Sequence, residues 1–347
     1  MNKNKKCKKY TTIGGQALIE GIMMRSPTKT VVVCRAPNGE IREKEVTSKS
    51  GKFKKIIMKF PFLRGAFGLI DSMILGAKAL MIATDIAMEE QQTPEDETTE
   101  ITKNAPKEKS KATKIFSNIF MALAGVVGAL VGVFFFTWLP SFLFDSLNLF
   151  TGENISSFRV PFESAINIIL FISYISIVAL MPDIKRLFMY HGAEHMAIAA
   201  HEAKVDLTVE NVRKYPRFHP RCGTSFLVLM IAVSLVVFMV LAAFIPWLTR
   251  PENRLWWISL RLAMTPIIIG FGYELIKIAG RFDNIFTRII SAPGMWVQRI
   301  TTKKPDDDML EVAICSLKAV LPNADSHADC KAQSATCEIS NETQSAE

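Results

Sequence analysis

The stretch "CGTSFLVLMIAVSLVVFMVLAAFIPWLT", Cys222 to Thr249, contains no charged side chain. It exceeds the roughly 20 apolar residues that an α-helix needs to cross the hydrocarbon core of a bilayer. Ile115 to Phe144 is a second uncharged run of this kind. Both runs predict membrane spans, which excludes the soluble two-domain protein that 347 residues with 49% hydrophobic side chains would otherwise suggest.

Two further segments extend the predicted membrane part. Ser164 to Pro182 is also uncharged, and it is just long enough to span once the helix ends are allowed for. Leu255 to Ala279 begins with Trp256 and Trp257, which are typical interfacial anchors, and its charged residues lie near its ends. The sequence therefore predicts four transmembrane helices.

The distribution of lysine and arginine predicts the orientation. These residues are abundant in residues 1–114, in the loop 183–221 and after Ala279, and they are scarce in the two loops between. By the positive-inside rule, both termini and the loop 183–221 lie in the cytoplasm. Contact with anionic membrane lipid accounts for the net charge of +8, and no alternation of aromatic and basic residues indicates base stacking. We therefore expect membrane lipid as a partner and no specific nucleic acid.

The N-terminal part predicts a small β element. The segments "TVVVCRA" (30–36) and "IREKEV" (41–46) flank the turn residues "PNG" (37–39), a pattern typical of a β-hairpin. The preceding stretch "GGQALIEGIMMRSP" (14–27) is rich in glycine and predicts a loop around Glu20.

Residues 61–87 predict an amphipathic helix with a wide apolar face. The charged residues in this segment follow one another at intervals of seven, so they share one narrow stripe of a helix; they are Arg64, Asp71, Lys78 and Asp85. Such a helix could lie on the membrane, pack against the spans or pack into a core, and the sequence leaves these alternatives open.

Together these patterns predict a mainly α-helical membrane protein with four transmembrane helices, a small N-terminal cytoplasmic β-hairpin element and cytoplasmic amphipathic helices. The predicted segments are a β-containing segment (1–60), the amphipathic helix (61–88), a flexible charged linker (89–114), two spans (115–182), a cytoplasmic loop (183–221), two further spans (222–279), cytoplasmic C-terminal helices (280–321) and a disordered tail (322–347). The tail contains His327, Cys330 and Cys337, for which disorder is the stronger interpretation than a metal site. The six cysteines show no CxxC pairing, so reduced thiols are expected.

The loop 183–221 contains the pattern H-x-x-E-H, in the stretch "HGAEH". On a helix, His191, Glu194 and His195 share one face, because residues three and four positions apart are neighbours. Helices present two nitrogen ligands to Zn²⁺ in this way while holding a carboxylate beside a metal-bound water, and the same pattern is the inverted zinc-protease signature. Glu194 is therefore a predicted catalytic base, and the two histidines are predicted ligands of a divalent metal, Zn²⁺.

Further ligands are predicted at the start of the third span. In "FHPRCGTSF", His219 and Cys222 offer an imidazole and a thiolate, and Pro220 and Gly223 interrupt the regular backbone between the loop and the span. With the two motif histidines they would form a tetrahedral set suited to Zn²⁺. Glu274, inside the fourth span, is a competing ligand, because a carboxylate at that depth is costly unless it is paired or binds a metal.

The number of ligands separates two kinds of site. If three protein groups bind, one position stays open for catalysis; if both motif histidines, His219 and Cys222 all bind, the site is closed and structural. In the closed site Glu194 would orient an imidazole instead of acting as a base. The plain alternatives are that H-x-x-E-H occurs by chance on a solvated helix face and that Cys222 is a small core residue. His201 is predicted to be a surface residue, and Glu202 lies about 16 Å along the helix from His191, too far to share its metal.

Several long motifs occur in the order typical of one family. They are "GGQALIEGIMMRSP" (14–27), "HGAEH" (191–195), "LTVENVRKYPRFHPRCGTSF" (207–226) and "TTKKPDDDMLEVAICSLKAV" (301–320). In these motifs the chain resembles the YqhQ-like family of bacterial membrane proteins of unknown function. The resemblance implies a multi-pass protein of the bacterial inner (cell) membrane and a metal-dependent enzyme without a known substrate. The residues that fall within its motifs are His191, Glu194, His195, His219 and Cys222.

Two functions of different classes follow. The first is a metal-dependent hydrolase or peptidase acting at the cytoplasmic membrane surface on a peptide or lipid-linked substrate. The second is a non-enzymatic membrane scaffold or assembly factor in which the His/Cys cluster is structural, with a membrane protein or a second copy of the chain as partner. A transporter is disfavoured because the spans other than the fourth lack charges near the midplane.

Overall fold

The computed structural model describes residues 13–46, 57, 59–61, 63–88, 123–152, 155–220, 222–245, 254–279 and 284–321. The predicted charged linker (89–114) and the predicted tail (322–347) lie outside the described residues. The chain divides into two compact units, one formed by residues 1–91, 174–230 and 266–347, and the other by residues 92–173 and 231–265.

The first unit contains a four-stranded antiparallel sheet with the strand order β1-β2-β3-β4. Its strands are β1 (Gly14–Leu18), β2 (Gly21–Arg25), β3 (Thr30–Arg35) and β4 (Ile41–Glu45). The pair β3–β4 confirms the predicted hairpin. The loop predicted around Glu20 is the turn at Ile19 and Glu20, and the segments on either side of it form a second hairpin, β1–β2, which the sequence did not predict.

The described helices are α1 (Leu63–Met88), α2 (Leu123–Thr151, with a π-helical turn at Phe134–Trp138), α3 (Arg159–Val178), α4 (Pro182–Glu202), α5 (Val209–Val212), α6 (Gly223–Phe244), α7 (Arg254–Ala279), α8 (Ile285–Thr301) and α9 (Asp307–Lys318). The sheet has helices on both faces, because alternate side chains of a strand point to opposite sides. Val31 and Val33 of β3 belong to one core, shared with α4 and α9. Val32 and Cys34 belong to another core, shared with α1.

The turn between β1 and β2 is anchored on α4. Glu20 has a φ of 50°, a left-handed backbone conformation that is costly for a residue other than glycine. Its carboxylate accepts hydrogen bonds from Arg186 (2.6 Å) and from the Tyr190 hydroxyl (3.1 Å) of α4. These contacts offset the backbone cost and hold β1 beside the helix that carries H-x-x-E-H.

Five helices in the described part of the chain are long and apolar enough to cross a membrane: Leu63–Ala87, Leu123–Thr151, Arg159–Val178, Gly223–Phe244 and Leu255–Ile278. The predicted count of four is therefore corrected to five, because α1 also qualifies. Its stripe of charges left its placement open, and two of these charges are paired: Arg64 with Glu274 of α7 and Asp71 with Arg25 of β2. Paired charges lower the cost of an apolar environment.

Exposed apolar side chains on these helices provide contact with membrane lipid, for example Leu130, Phe150, Ile177 and Val236. Both termini lie on the same side of a membrane only if the chain crosses it an even number of times. Five helices are candidates for crossing, so the placement of both termini in the cytoplasm stays a prediction.

The second unit contains a buried charged cluster that the predicted span boundaries missed. The second span was predicted to begin at Ser164, but α3 begins at Arg159 and so includes Glu163. The Glu163 side chain is fully buried and accepts hydrogen bonds from Ser141 (2.8 Å) and from the Trp257 indole. Arg261 lies 3.1 Å from the same carboxylate. The cluster is tolerated because its charges meet opposite charges and hydrogen-bond donors.

The cysteines differ in state. Cys34 and Cys222 are free and buried. Cys315 is disulfide-bonded, so the prediction of reduced thiols is wrong for this residue. A disulfide depends on the separation of two Cα atoms in the fold, so missing CxxC spacing does not exclude one.

Gly192, in the middle of H-x-x-E-H, marks the closest approach of α4 to the segment that follows α8. A Cβ atom there would lie 2.1 Å from the carbonyl oxygen of Lys303. We expect Gly192→Ala to lower the free energy of unfolding by about 1–3 kcal/mol, because the backbone must shift to relieve the overlap. Thermal unfolding in detergent measures the effect. Gly132→Ala is the control, since a Cβ atom there meets no other atom within 4 Å; equal melting temperatures for the two variants would contradict the prediction.

Candidate metal centre

Helix α4 carries the two motif histidines. The helix begins with Pro182 and has Asp183 in its first turn, both favourable at a helix N-terminus. His191 and His195 follow on one face, with ring centroids 4.4 Å apart. The predicted convergence of the two imidazoles is therefore present.

Cys222, immediately before α6, joins these two histidines. The possible ligand atoms of His191, His195 and Cys222 all lie within 4.8 Å of one another, and Cys222 Sγ is 3.2 Å from His191 Nε2. With Zn–N and Zn–S bonds of about 2.0 and 2.3 Å, the ligand atoms of a tetrahedral zinc site are about 3.3–3.6 Å apart. The arrangement fits such a site with small side-chain adjustments.

Backbone carbonyls orient both rings. His191 Nδ1 lies 2.8 Å from the carbonyl oxygen of Thr301, and His195 Nδ1 lies 2.7 Å from that of Arg217. A carbonyl oxygen only accepts, so each Nδ1 carries the proton and donates it. With Nδ1 as the donor, Nε2 is the atom that can bind a metal once it has lost its own proton, and such a hydrogen bond is the usual companion of a metal-bound histidine.

Glu194 lies beside the cluster and is 5% exposed. The backbone N–H of Gly15 donates a hydrogen bond to its carboxylate, whereas Oε2 has no hydrogen-bond partner among the described residues. A Cβ atom at Gly15 would lie 2.9 Å from Glu194 Oε1 and 2.8 Å from the carbonyl oxygen of Met23. The glycine of β1 is thus required for this close approach.

The electrostatics of the cluster favour a thiolate. Burial opposes the charged form of Cys222, but hydrogen bonds from His191 and His195 outweigh it, so the pKa of the thiol is well below its ordinary value. Burial likewise opposes the imidazolium of His191, but the hydrogen bond and charge of Cys222 and the charge of Glu194 raise its pKa to about 9. Burial raises the pKa of the Glu194 carboxyl, against the charges of both histidines.

His219 lies next to the cluster but is not one of the three converging groups. Its ring centroid is 5.8 Å from that of His195. The Nε2 atom of His219 is 3.5 Å from Glu202 Oε2. Glu202 therefore contacts His219 and is not one of the three converging groups. His201, in the last turn of α4, is half-buried and lies outside the cluster.

Gln298 of α8 holds the segment that carries His219, and the sequence reasoning missed it. Its side chain is fully buried, accepts a hydrogen bond from the His219 backbone N–H (2.8 Å) and donates to the His219 carbonyl (2.7 Å). It also donates to Ser225 Oγ (2.8 Å). No sequence pattern marked this residue, because the buried side of α8 also contains Thr287, Ser291 and Thr301.

Glu274 is not brought to the cluster. Its carboxylate accepts hydrogen bonds from the guanidinium of Arg64, with Nε at 2.6 Å. The ion pair satisfies the partly exposed carboxylate without a metal. Arg64 belongs to the charged stripe of α1, so the sequence did contain a possible partner for the Glu274 carboxylate.

A cavity of about 280 Å³ opens onto the cluster. The five polar residues that line it are His191, Glu194, His195, His219 and Cys222, and the glycines of β1 and Ile198 complete the wall. The cavity therefore offers space for a small polar group directly beside the three possible metal ligands and the Glu194 carboxylate.

Comparison with known proteins supports one family. A family model described as "Protein of unknown function (DUF1385)" matches residues 60–323. The chain is 32% identical to "Uncharacterized protein YqhQ" of Bacillus subtilis (strain 168) over 310 residues, which cover 89% of this chain and 92% of that protein. No solved structure matches the chain. The chain thus belongs to the DUF1385 family of proteins of unknown function, in agreement with its resemblance to the YqhQ-like proteins.

Proposed function

We propose that the protein is a zinc-dependent hydrolase of a bacterial cell membrane, with its site beside the cytoplasmic ends of the spans. One observation supports this proposal: hydrogen bonds from Nδ1 to two carbonyl oxygens hold the rings of His191 and His195 so that both Nε2 atoms face Cys222. Two solvent-exposed histidines would not require their rings to be held in one orientation, whereas metal-binding histidines usually have such a hydrogen bond.

The converging ligands are three in number, which favours catalysis over a structural site. Zinc held by three protein groups keeps one position open, and there it lowers the pKa of a bound water to about 7 and polarises a carbonyl group. The chain supplies the remaining requirement, a proton acceptor. Glu194 lines the same cavity and has a carboxylate oxygen without a hydrogen-bond partner among the described residues.

In the proposed reaction a water oxygen bonds to the carbonyl carbon of an amide or ester. The water proton passes to Glu194, the bond to nitrogen or alcohol oxygen breaks, and the leaving group takes that proton. Gly15 holds the other side of the Glu194 carboxylate in place through its backbone N–H. Peptides and lipid-linked molecules are the proposed substrate classes.

Metal content and a Glu194→Gln variant test this function. Protein purified without chelators is expected to contain about one zinc per chain by elemental mass spectrometry. Glu194→Gln should retain the zinc but hydrolyse a panel of labelled peptides and lipid-linked peptides 10²- to 10⁴-fold more slowly, roughly the contribution of a general base. A wild-type protein without stoichiometric transition metal would overturn the proposal.

The position of His219 favours the second candidate, a scaffold with a structural metal. Its ring is close enough to His195 that a modest movement would make it a fourth ligand and close the site. In that case Glu194→Gln should leave function intact or lower stability and function together. A membrane-protein partner or a homo-oligomer belongs to this candidate and stays a prediction.

A further inference from the structure

A second, larger cavity adjoins the metal cluster. Its volume is about 720 Å³, and Cys222 and Gly223 line both this cavity and the smaller one. The rest of its wall comes mainly from α1, α6 and α7, which are all candidate membrane spans. A molecule bound there would extend from the possible metal ligands into the part of the protein that contacts lipid.

The wall of this cavity is apolar. Its side chains include Phe67, Ile70 and Ile74 of α1, Phe226 of α6 and Ile276 of α7. The charged residues that reach it, Arg25 and Asp71, pair with each other at 3.2 Å. The cavity therefore favours a hydrocarbon over a charged or hydrogen-bonding ligand.

The size of the cavity distinguishes two apolar occupants. An α-helix about 10 Å across fills about 420 Å³ per turn, so less than two turns of a transmembrane peptide would fit. A volume of about 720 Å³ lies within the range of roughly 300–1,000 Å³ for small-molecule pockets. The space suits a single flexible hydrocarbon chain.

A third cavity, of about 510 Å³, adjoins both of these cavities. It shares Gly14 and Gly15 with the site cavity, and Arg25, Ser72 and Tyr273 with the apolar cavity. Gln16 and Ser26 add polar groups to its wall. The polar remainder of a lipid-like molecule has room there.

We infer that the substrate of the proposed hydrolase carries a long hydrocarbon chain, which binds in the cavity between α1, α6 and α7 while the scissile bond lies at His191, His195 and Cys222. This inference rests on the proposed function and names its substrate class. The occupant is the chain of a lipid or lipid-linked molecule, not a transmembrane peptide.

Gly68 provides a variant that fills the apolar cavity. It lines this cavity, and a Cβ atom there meets no other atom within 4 Å, so a large side chain can enter the space without a backbone clash. Gly128 of α2 is a matched control, because it is also a glycine in a candidate span with open space around its Cβ position. It lines none of the three cavities.

The probes are acetohydroxamate and dodecanoyl hydroxamate, which share a zinc-binding head and differ in chain length. Their affinities are measured for the zinc-loaded full-length protein in nanodiscs of phosphatidylethanolamine and phosphatidylglycerol. In the wild type and in Gly128→Trp, the long chain should increase affinity at least tenfold. In Gly68→Trp this gain should fall at least fivefold, while the affinity for acetohydroxamate stays the same.

The outcomes separate the inference from the function on which it rests. An equal chain-length gain in Gly68→Trp and Gly128→Trp overturns the inference and leaves the proposed function standing. Zinc-loaded protein that binds neither hydroxamate overturns both. Competition by an unacylated transmembrane peptide as strong as that by the long hydroxamate overturns the inference in favour of a peptide substrate. If Gly68→Trp loses zinc, the smaller Gly68→Leu is used with Gly128→Leu, and the same criteria apply.

Discussion

Alanine at His195 is expected to abolish the proposed zinc binding and, with it, the proposed zinc-dependent activity. The structure gives this side chain two connections, through Nδ1 to the Arg217 carbonyl and through its other nitrogen to the cluster with Cys222. Structural zinc sites with four ligands have apparent binding free energies of about 10–16 kcal/mol, or about 3 kcal/mol per ligand. Loss of one ligand of three should therefore weaken zinc binding by roughly a hundredfold or more.

His201→Ala is the matched control, because His201 lies on the same helix but outside the cluster. Zinc content by elemental mass spectrometry and zinc affinity by competition with a chelating dye measure both variants. The interpretation requires that His195→Ala still folds, which its circular dichroism and elution volume report. Equal zinc affinity in the two variants would show that the imidazoles do not bind the metal.

Alanine at Glu163 is expected to destabilise the second unit by about 3–5 kcal/mol, because it removes the counter-charge of the buried Arg261. Arg261 is only 11% exposed in its side chain and lies 3.1 Å from the Glu163 carboxylate. Arg159 lies 3.5 Å from the same group. The Trp257 indole N–H would also lose its acceptor.

Two comparisons identify the cause. Glu163→Gln keeps an acceptor for Trp257 and removes the charge, so it should cost less than alanine. Combining Glu163→Ala with Arg261→Met removes a charge of each sign, and the double variant should be more stable than the sum of the single effects predicts. Thermal unfolding in detergent measures all of them. Strict additivity would show that the two groups do not interact.

The helix face that carries the site was predictable from the sequence, whereas the carbonyl groups that orient its histidines were not. The i, i+3 and i+4 spacing was sufficient to place His191, Glu194 and His195 on one face of a helix. The carbonyl oxygens that orient the rings belong to Thr301 and Arg217. A backbone carbonyl is present at every residue, so no sequence pattern distinguishes the two that bind.

The sequence did not reveal contacts between distant segments. The sequence indicated that the Glu274 carboxylate needs a partner, but that partner, Arg64, lies 210 residues away in the sequence. The helix α1 qualifies as a candidate span by its length and composition, and the same pairing lowers the cost of the Arg64 charge there. The second hairpin was not predicted because glycine is frequent in loops, whereas the small size of Gly15 is needed for the close approach of Glu194.

The hydrogen bond from His191 to Thr301 joins residues 110 positions apart, with α6 and α7 between them. During translation the motif helix emerges well before Thr301, and in that interval His191 lacks the group that sets its tautomer. The nascent chain therefore has an incomplete binding site until α8 has been synthesised and docked. The proposed metal would therefore bind at the last stage of biogenesis, after membrane insertion, and chains truncated before α8 are expected to accumulate without zinc.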